Sequence, residues 1–150
     1  MTLVDANVLL YAYDSASLHH VPARRWLEAQ FSTGRPLRFA LITLLAFVRI
    51  ASDRRVYARP LTPAAACAIV ESWLSHPNAQ LLQPGPRTWA LLSELCEEGQ
   101  AKGAMVMDAH LAALALEHGA AIATTDRDFA RFLRLETVNP LDELNSAPDD

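Results

Sequence analysis

Lysine, cysteine and long apolar runs are scarce in this sequence, and each shortage excludes a class of protein. Of 13 basic side chains only Lys102 is a lysine, and the net charge is −4, so the chain is no polycation. Cys67 and Cys96 lack the close spacing of a metal or redox pair. We expect both to be free, buried thiols, as suits a reducing compartment. No stretch reaches the roughly 20 apolar residues that span a bilayer.

The amino-terminal segment has no basic region followed by an apolar signal-peptide run. With the free thiols, this predicts a cytoplasmic protein that has no membrane association. The 150 residues contain 51% hydrophobic side chains and no internal repeat, which favours one compact domain. We place that domain at residues 1–141 and expect residues 142–150 to form a short, acidic, frayed tail.

Strand-like and helix-like segments alternate along the chain. Apolar residues at helical spacing predict helices at His20–Phe31, Phe39–Ser52, Pro63–Leu74, Arg87–Glu98 and Met105–His118. Short apolar runs predict strands at Leu3–Asp5, Ala79–Leu82, Ala120–Thr124 and Glu136–Val138. The alternation indicates an α/β fold with a mostly parallel sheet covered by helices on both faces. In such sheets, ligands collect beyond the carboxyl ends of the strands.

Three aspartates stand beside strongly apolar segments. Asp5 and Asp126 end or follow predicted strands, and Asp108 lies in the helix between them. A carboxylate at a buried position is costly unless a cation compensates its charge. Mg²⁺, held by a few carboxylates and several waters, is the simplest compensation. The pattern therefore predicts a metal-dependent hydrolase of phosphodiesters. An ordinary turn at Asp5 and a helix cap at Asp108 are the alternatives.

Other polar or aromatic residues have more than one interpretation. Thr124 and Thr125 carry hydroxyls that could bond carboxylates or the attacking water, and Asp128 either faces the same pocket or, as we favour, caps the turn through Phe129. His110 is interpreted as a core or rim histidine, because Mg²⁺ prefers oxygen ligands. Tryptophans at helical spacing with other apolar residues are assigned to the core: Trp26, Trp73 and Trp89.

Arginine is the dominant basic residue. Its forked side chain suits phosphate, so the bias fits a nucleic-acid partner, although an arginine-rich genome produces the same count. The densest basic group predicts a rim that tracks RNA phosphates, with a solvated surface as the alternative; it comprises Arg49, Arg54, Arg55 and Arg59.

Three motifs, in order, resemble those of PIN-domain ribonucleases, and most closely those of the VapC toxins of type II toxin–antitoxin modules. They are Val4–Tyr11, Asp108–Ala115 and Thr124–Phe132, and Val138–Leu141 resembles the end of that domain. The resemblance implies a three-layer α/β/α fold and an endoribonuclease that depends on Mg²⁺ or Mn²⁺. It also implies a homodimer that a VapB-type antitoxin silences.

By position, the resemblance assigns metal binding and catalysis to three carboxylates: Asp5, Asp108 and Asp126. It assigns supporting roles to Asn7, Thr124 and Asp128. One position departs from the family pattern, because many relatives carry a glutamate where this chain has Ala46. The missing acid lowers the negative charge that holds metal. It is either a natural variation or a replacement that disarms a toxic product.

Two other functions compete with RNA hydrolysis. With Ala46, the chain could be a binding module that grips RNA or an antitoxin and cleaves little. A haloacid-dehalogenase-like phosphatase also begins with an aspartate after a strand. That family requires a second aspartate two residues later and a lysine. Here Asn7 stands at that place and Lys102 is the only lysine, so we discount this function.

Overall fold

A five-stranded parallel sheet forms the middle layer of the protein, in the order β3-β2-β1-β4-β5. The structure is a computed structural model that describes residues 1–143. Its strands are β1 (Thr2–Val4), β2 (Leu37–Ala40), β3 (Ala79–Leu82), β4 (Ala121–Ala123) and β5 (Thr137–Val138). Most of the tail expected at residues 142–150 lies outside the described residues, and the domain limit at residue 141 stays a prediction.

Helices cover both faces of this sheet. They are α1 (Ala6–Tyr13), α2 (His20–Thr33), α3 (Leu41–Ala51), α4 (Pro63–Leu74), α5 (Thr88–Glu98), α6 (Met105–His118) and α7 (Pro140–Glu143). A short 3₁₀ helix, η1, spans Arg127–Arg131. Within the described part of the chain, no helix is long and apolar enough to cross a membrane.

Successive side chains of each strand point to opposite faces, so the sheet separates two apolar clusters. Leu3 and Ile122 pack with α5 and α6 on one face, while Val4 and Ala123 pack with α1 to α4 on the other. Strands that are buried on both faces read as unbroken apolar runs, which is why β1 and β4 end in the buried pairs Leu3–Val4 and Ile122–Ala123. The predicted three-layer α/β/α fold is confirmed, and the sheet is parallel throughout.

Helix ends follow the stop and start signals of the sequence. The Thr62 hydroxyl accepts a hydrogen bond of 3.1 Å from the Ala65 amide and so caps α4, with Pro63 in the first turn. Gly119 ends α6 in the left-handed conformation, with φ of 67°. The predicted bounds of both helices are confirmed.

One predicted helix begins too early. Phe39 and Ala40 belong to β2 rather than to the helix predicted at Phe39–Ser52. The strand runs directly into α3 with no polar or glycine break, so one continuous apolar run contains both elements.

Two predictions of burial are also wrong. Trp89 is 79% exposed, whereas Trp26 and Trp73 are buried as expected. Cys67 is exposed and Cys96 is half-buried, although both thiols are free. Trp89 and Cys67 each lie one residue beyond a buried helical stripe, and one residue turns the side chain by about 100° away from the core.

Candidate active site

The carboxyl ends of β1 and β4 meet at one edge of the sheet. The two strands pair in parallel, with Val4 opposite Ala123, so the residues that follow them emerge side by side. Asp5 follows β1 and starts α1, and its amide donates to the Ala123 carbonyl over 2.9 Å. Thr124 to Asp126 follow β4 and start η1. This is the edge at which ligands bind in such sheets.

Hydrogen bonds hold the Asp5 carboxylate in place. Its Oδ2 accepts from the Thr124 hydroxyl at 2.7 Å and from the Asn7 side-chain amide at 3.2 Å. Its Oδ1 accepts from the Ala6 amide at 2.8 Å. Buried Thr124 also accepts from the Asp126 amide at 3.0 Å. Asp5 therefore serves the local backbone, as the cap of α1, and also presents its carboxylate to the candidate site. The two interpretations of Asp5 do not exclude each other.

Asp126, rather than Asp128, caps the turn after β4. The Asp126 Oδ1 accepts from the Asp128 amide at 2.8 Å, so the capping role predicted for Asp128 is wrong. The turn begins at Arg127, which places Asp128 inside it rather than before it. The Asp128 carboxylate instead lies 3.9 Å from Arg131, which also donates to the Gly99 carbonyl at 2.9 Å.

Asp108 approaches the same edge from the first turn of α6. Ala104 is the residue before that helix, so Asp108 is not its cap. The pKa of the Asp108 carboxyl is raised to about 6, first by burial and then by the charges of Asp126, Asp5 and Asp128. Arg131 opposes this shift. Burial likewise raises the pKa of Asp5. The four carboxylates therefore lie within one another's electrostatic field.

Ala46 borders the same site. A cavity of about 190 Å³ opens among Asp5, Asp108 and Ala46, with Ile42, Met107 and Leu111 around it. Ala46 belongs to α3, which also contributes Ile42 and Thr43 to the lining. Among the residues described, Asp5 and Asp108 are the only acids in its lining. The cavity is the space that a longer acidic side chain at position 46 would enter.

The donor set suits a hydrated Mg²⁺ ion better than a fully protein-enclosed one. Across residues 1–143, no three His, Cys, Asp or Glu side chains are arranged to enclose a metal ion by themselves. Mg²⁺ commonly binds through one or two carboxylates and keeps several waters. The carboxylate oxygens fit such an ion, and so does the raised pKa of Asp108, which burial and then the neighbouring negative charges cause. The groups that would hold it are Asp5 and Asp108, which line one cavity, together with Asp126, whose charge acts on both.

The predicted RNA-contacting arginines lie further along α3 and in the loop after it. Arg49 is about one turn beyond Ala46, and Arg54 and Arg55 follow the helix. Arg55 lies 3.1 Å from Asp53 in an exposed ion pair, which offsets part of its charge. The sequence did not predict a role for Arg131, which acts on Asp108, because arginines were selected by their density along the chain and Arg131 lies outside that group. Its three-residue spacing from Asp128 is the signal that could have found it.

Comparison with known proteins gives the family. The PIN domain family model matches residues 2–135. Ribonuclease VapC37 of Mycobacterium tuberculosis (strain ATCC 25618 / H37Rv) is 45% identical over 132 residues, which cover 88% of this chain and 92% of that protein. VapC ribonuclease Mb2897 of Mycobacterium bovis (strain ATCC BAA-935 / AF2122/97) is 39% identical over 142 residues, which cover 95% of this chain and 97% of that protein. The solved structure of VapBC2 from Rickettsia felis, bound to a promoter DNA fragment, shares the fold with a TM-score of 0.67 and a sequence identity of 15%. The match covers 92% of this chain and 97% of the other. The chain belongs to the PIN-domain family, among the VapC ribonucleases.

Proposed function

We propose that this chain is a metal-dependent endoribonuclease and the toxin of a VapBC-type module. The convergence of Asp5, Asp108 and Asp126 at one edge of the sheet carries this proposal, because burial and the charge of Asp126 both raise the pKa of Asp108 and of Asp5. Relatives that are 36–45% identical carry the name ribonuclease, which supports the same activity. Since the substrate would be cellular RNA, we place its action in the cytoplasm.

Asp5, Asp108 and Asp126 would hold the ion, Mg²⁺ or Mn²⁺. When bound, such an ion activates water and offsets negative charge on the reacting phosphate. The chain's own residues prepare the site for it. Thr124 and Asn7 orient the Asp5 carboxylate by hydrogen bonds, and the partial burial of Asp108 raises the pKa of its carboxyl. Asp128 adds negative charge from the rim, where it would support the three carboxylates.

Metal-dependent cleavage is the test of this function. Incubation with structured RNA should give discrete cleavage products in Mg²⁺ or Mn²⁺ and none in EDTA. Asp5→Asn and Asp108→Asn should each reduce the rate by about a hundredfold or more, because each removes a charged oxygen ligand. Equal cleavage in EDTA and Mg²⁺ would rule out the metal scheme.

Ala46 favours a second candidate function, in which the chain mainly binds RNA or its antitoxin. Because Ala46 is not acidic, the 190 Å³ cavity has fewer negative charges with which to hold a metal ion. Under this alternative, RNA binds in Mg²⁺ without being cut, and Ala46→Glu leaves the chain inactive. Detectable cleavage by the unaltered chain excludes it.

We propose a VapB-type antitoxin as the protein partner. VapBC complexes with DNA fragments are among the solved structures that share this fold, which supports the assignment. A cavity of about 710 Å³ lies between α1, α2 and α4, and its lining includes apolar and aromatic side chains such as Leu27, Phe31 and Trp73. It contains none of the three aspartates, and an apolar partner segment would enter it.

We also propose that the chain forms a homodimer through α3. Leu41 and Leu45 lie on one face of that helix and are 58% and 59% exposed. Met107, at the start of α6, is a further exposed apolar side chain nearby. A contiguous apolar patch of this kind is typical of a protein interface. A second copy on this patch would lie beside the aspartates.

A further inference from the structure

A second cavity adjoins the aspartates on the side of β5. Its volume is about 310 Å³, and its lining includes Thr125, Asp126, Arg127, Ala130, Thr137 and Asn139. Asp126 forms one wall. Thr124 belongs to the same wall and donates to Asp5, which lines the neighbouring cavity. A substrate strand with a phosphate at the aspartates would therefore meet this cavity with its next nucleotide.

Arg127 gives this cavity an available cation. It is exposed, follows Asp126 directly, and makes no side-chain hydrogen bond or ion pair with the residues that the structure describes. Arg131, on the same short helix, is already engaged by Asp128 and the Gly99 carbonyl. A guanidinium that no carboxylate neutralises is free to bind an incoming phosphate and to offset its repulsion by the aspartates.

The remaining walls suit a nucleobase. Within residues 1–143, the Thr125 and Thr137 hydroxyls have no hydrogen-bond partner, and Asn139 uses only its carbonyl oxygen, which accepts from the Leu141 amide at 3.0 Å. The methyl groups of Ala130 and the threonines supply an apolar surface. A volume of about 300 Å³ is the lower limit for pockets that bury small ligands, so the cavity fits one nucleotide and no larger segment. Flat bases with polar edges are read by such mixtures of groups.

We infer that this cavity is the subsite for the nucleotide adjacent to the scissile phosphate of single-stranded RNA. Arg127 binds the flanking phosphate, and Thr137 and Asn139 contact the base or its ribose. This inference rests on the proposed ribonuclease function and specifies its substrate contact. Arg127 accordingly sets affinity for all sequences, whereas Thr137 sets preference at one position next to the cut.

A binding experiment tests the subsite independently of cleavage. The ¹⁵N-labelled chain is titrated with an RNA tetranucleotide in Ca²⁺, and amide shifts are followed. Saturable shifts are expected at Thr125, Arg127 and Thr137. Arg127→Ala should weaken binding about tenfold and reduce the slope of log affinity against log salt by about 0.7. Arg35→Ala is the matched control, because Arg35 is also exposed but lies at the amino end of β2, on the opposite edge of the sheet.

Cleavage of a randomised RNA library tests the base contact. Thr137→Val keeps the shape of the exposed side chain and removes its hydroxyl. Base preference at one position beside the cut should change about fivefold, while preferences at other positions stay the same. Unchanged melting temperatures for Arg127→Ala and Thr137→Val would show that the fold is intact.

The outcomes separate the subsite from the overall function. Shifts that map elsewhere, or equal binding by Arg127→Ala and Arg35→Ala, overturn the subsite even if the chain cuts RNA. A chain that binds RNA at this cavity but cuts none in Mg²⁺ or Mn²⁺ refutes the ribonuclease proposal and retains the subsite. An unchanged preference profile for Thr137→Val overturns its assigned contact.

Discussion

Introducing a glutamate at position 46, where many relatives carry one, should increase RNA cleavage more than any other single substitution. Ala46→Glu places a carboxylate in the cavity beside Asp5 and Asp108. We expect RNA cleavage to rise about tenfold and half-saturation to need less Mg²⁺, because a further oxygen ligand strengthens the hold on the ion. A titration of cleavage rate against Mg²⁺ measures both effects. Ala46→Gln controls for size, and an equal gain for Gln and Glu would contradict the charge explanation.

Asp108 should make the metal-free protein less stable as pH rises. Its pKa is about 6 in the folded chain and 3.8 when unperturbed, so the folded state binds more protons between these values. Its stabilising contribution is therefore complete below about pH 3.8 and is lost as pH rises through about 6. Asp108→Asn cannot ionise, so it should match the unaltered chain near pH 4 and exceed its unfolding free energy at pH 7. The gain is about 1 kcal/mol, because solvent screens this half-buried group.

Thermal or urea denaturation at several pH values in EDTA checks that difference. Mg²⁺ should then stabilise the unaltered chain more than Asp108→Asn, since the ion binds the ionised carboxylate. A difference between the two proteins that is the same at pH 4 and pH 7 would contradict the electrostatic account.

The clustering of the three aspartates could be predicted from their positions in the sequence, but the role of each neighbouring residue could not. Parallel strands end at one edge, so Asp5 and Asp126 had to be neighbours once β1 and β4 were paired. The identity of the capping residue depends on where η1 begins, and a start two residues later would make Asp128 the cap instead of Asp126. No local pattern could resolve that shift.

At the scale of elements, Thr62 should control the stability of α4 without touching the candidate site. Its hydroxyl accepts from the Ala65 amide, which would otherwise lack a partner in the first turn. Thr62→Ala should lower the free energy of unfolding by about 1 kcal/mol, whereas Thr62→Ser should remain close to the unaltered chain. Urea denaturation measures the change, and RNA cleavage should not alter. Equal stabilities of the Ala and Ser variants would contradict the capping role.

Elements with local signals were predictable, and elements defined by distant contacts were not. Caps and glycines identified α4 and α6, but β2 was missed because its apolar run continues into α3. The start of α5 was predicted only one residue early, at Arg87 instead of Thr88, although it depends on a residue from another helix. Glu117 of α6 accepts from the Gly85 and Arg87 amides and from the Thr88 hydroxyl. About 30 residues separate the partners, so no window of sequence contains this contact.

At the scale of the whole molecule, charge is distributed unevenly around the carboxyl edge of the sheet. The chain has a net charge of −4, and four aspartates lie at this edge. Arg131 lies directly beside them, as does Arg127, which has no side-chain partner among residues 1–143. Under the proposed function, RNA would approach this negative centre through arginine contacts, and its binding should weaken with salt. A bound metal ion and these arginines together would make the acidic edge compatible with a polyanion.

The apolar face of α3 should determine the assembly of the whole molecule. Leu45 is 59% exposed beside Leu41, so Leu45→Asp would place a charge at the centre of the proposed interface. We expect the unaltered chain to sediment as a dimer at micromolar concentration, and Leu45→Asp to weaken dimerisation by about a hundredfold or more, because a buried unpaired charge is costly. Leu133→Asp is the control, since Leu133 is 92% exposed and belongs to no described cavity of this face. A chain that sediments as a monomer before substitution, or a Leu45→Asp variant that remains a dimer, would contradict an interface on α3.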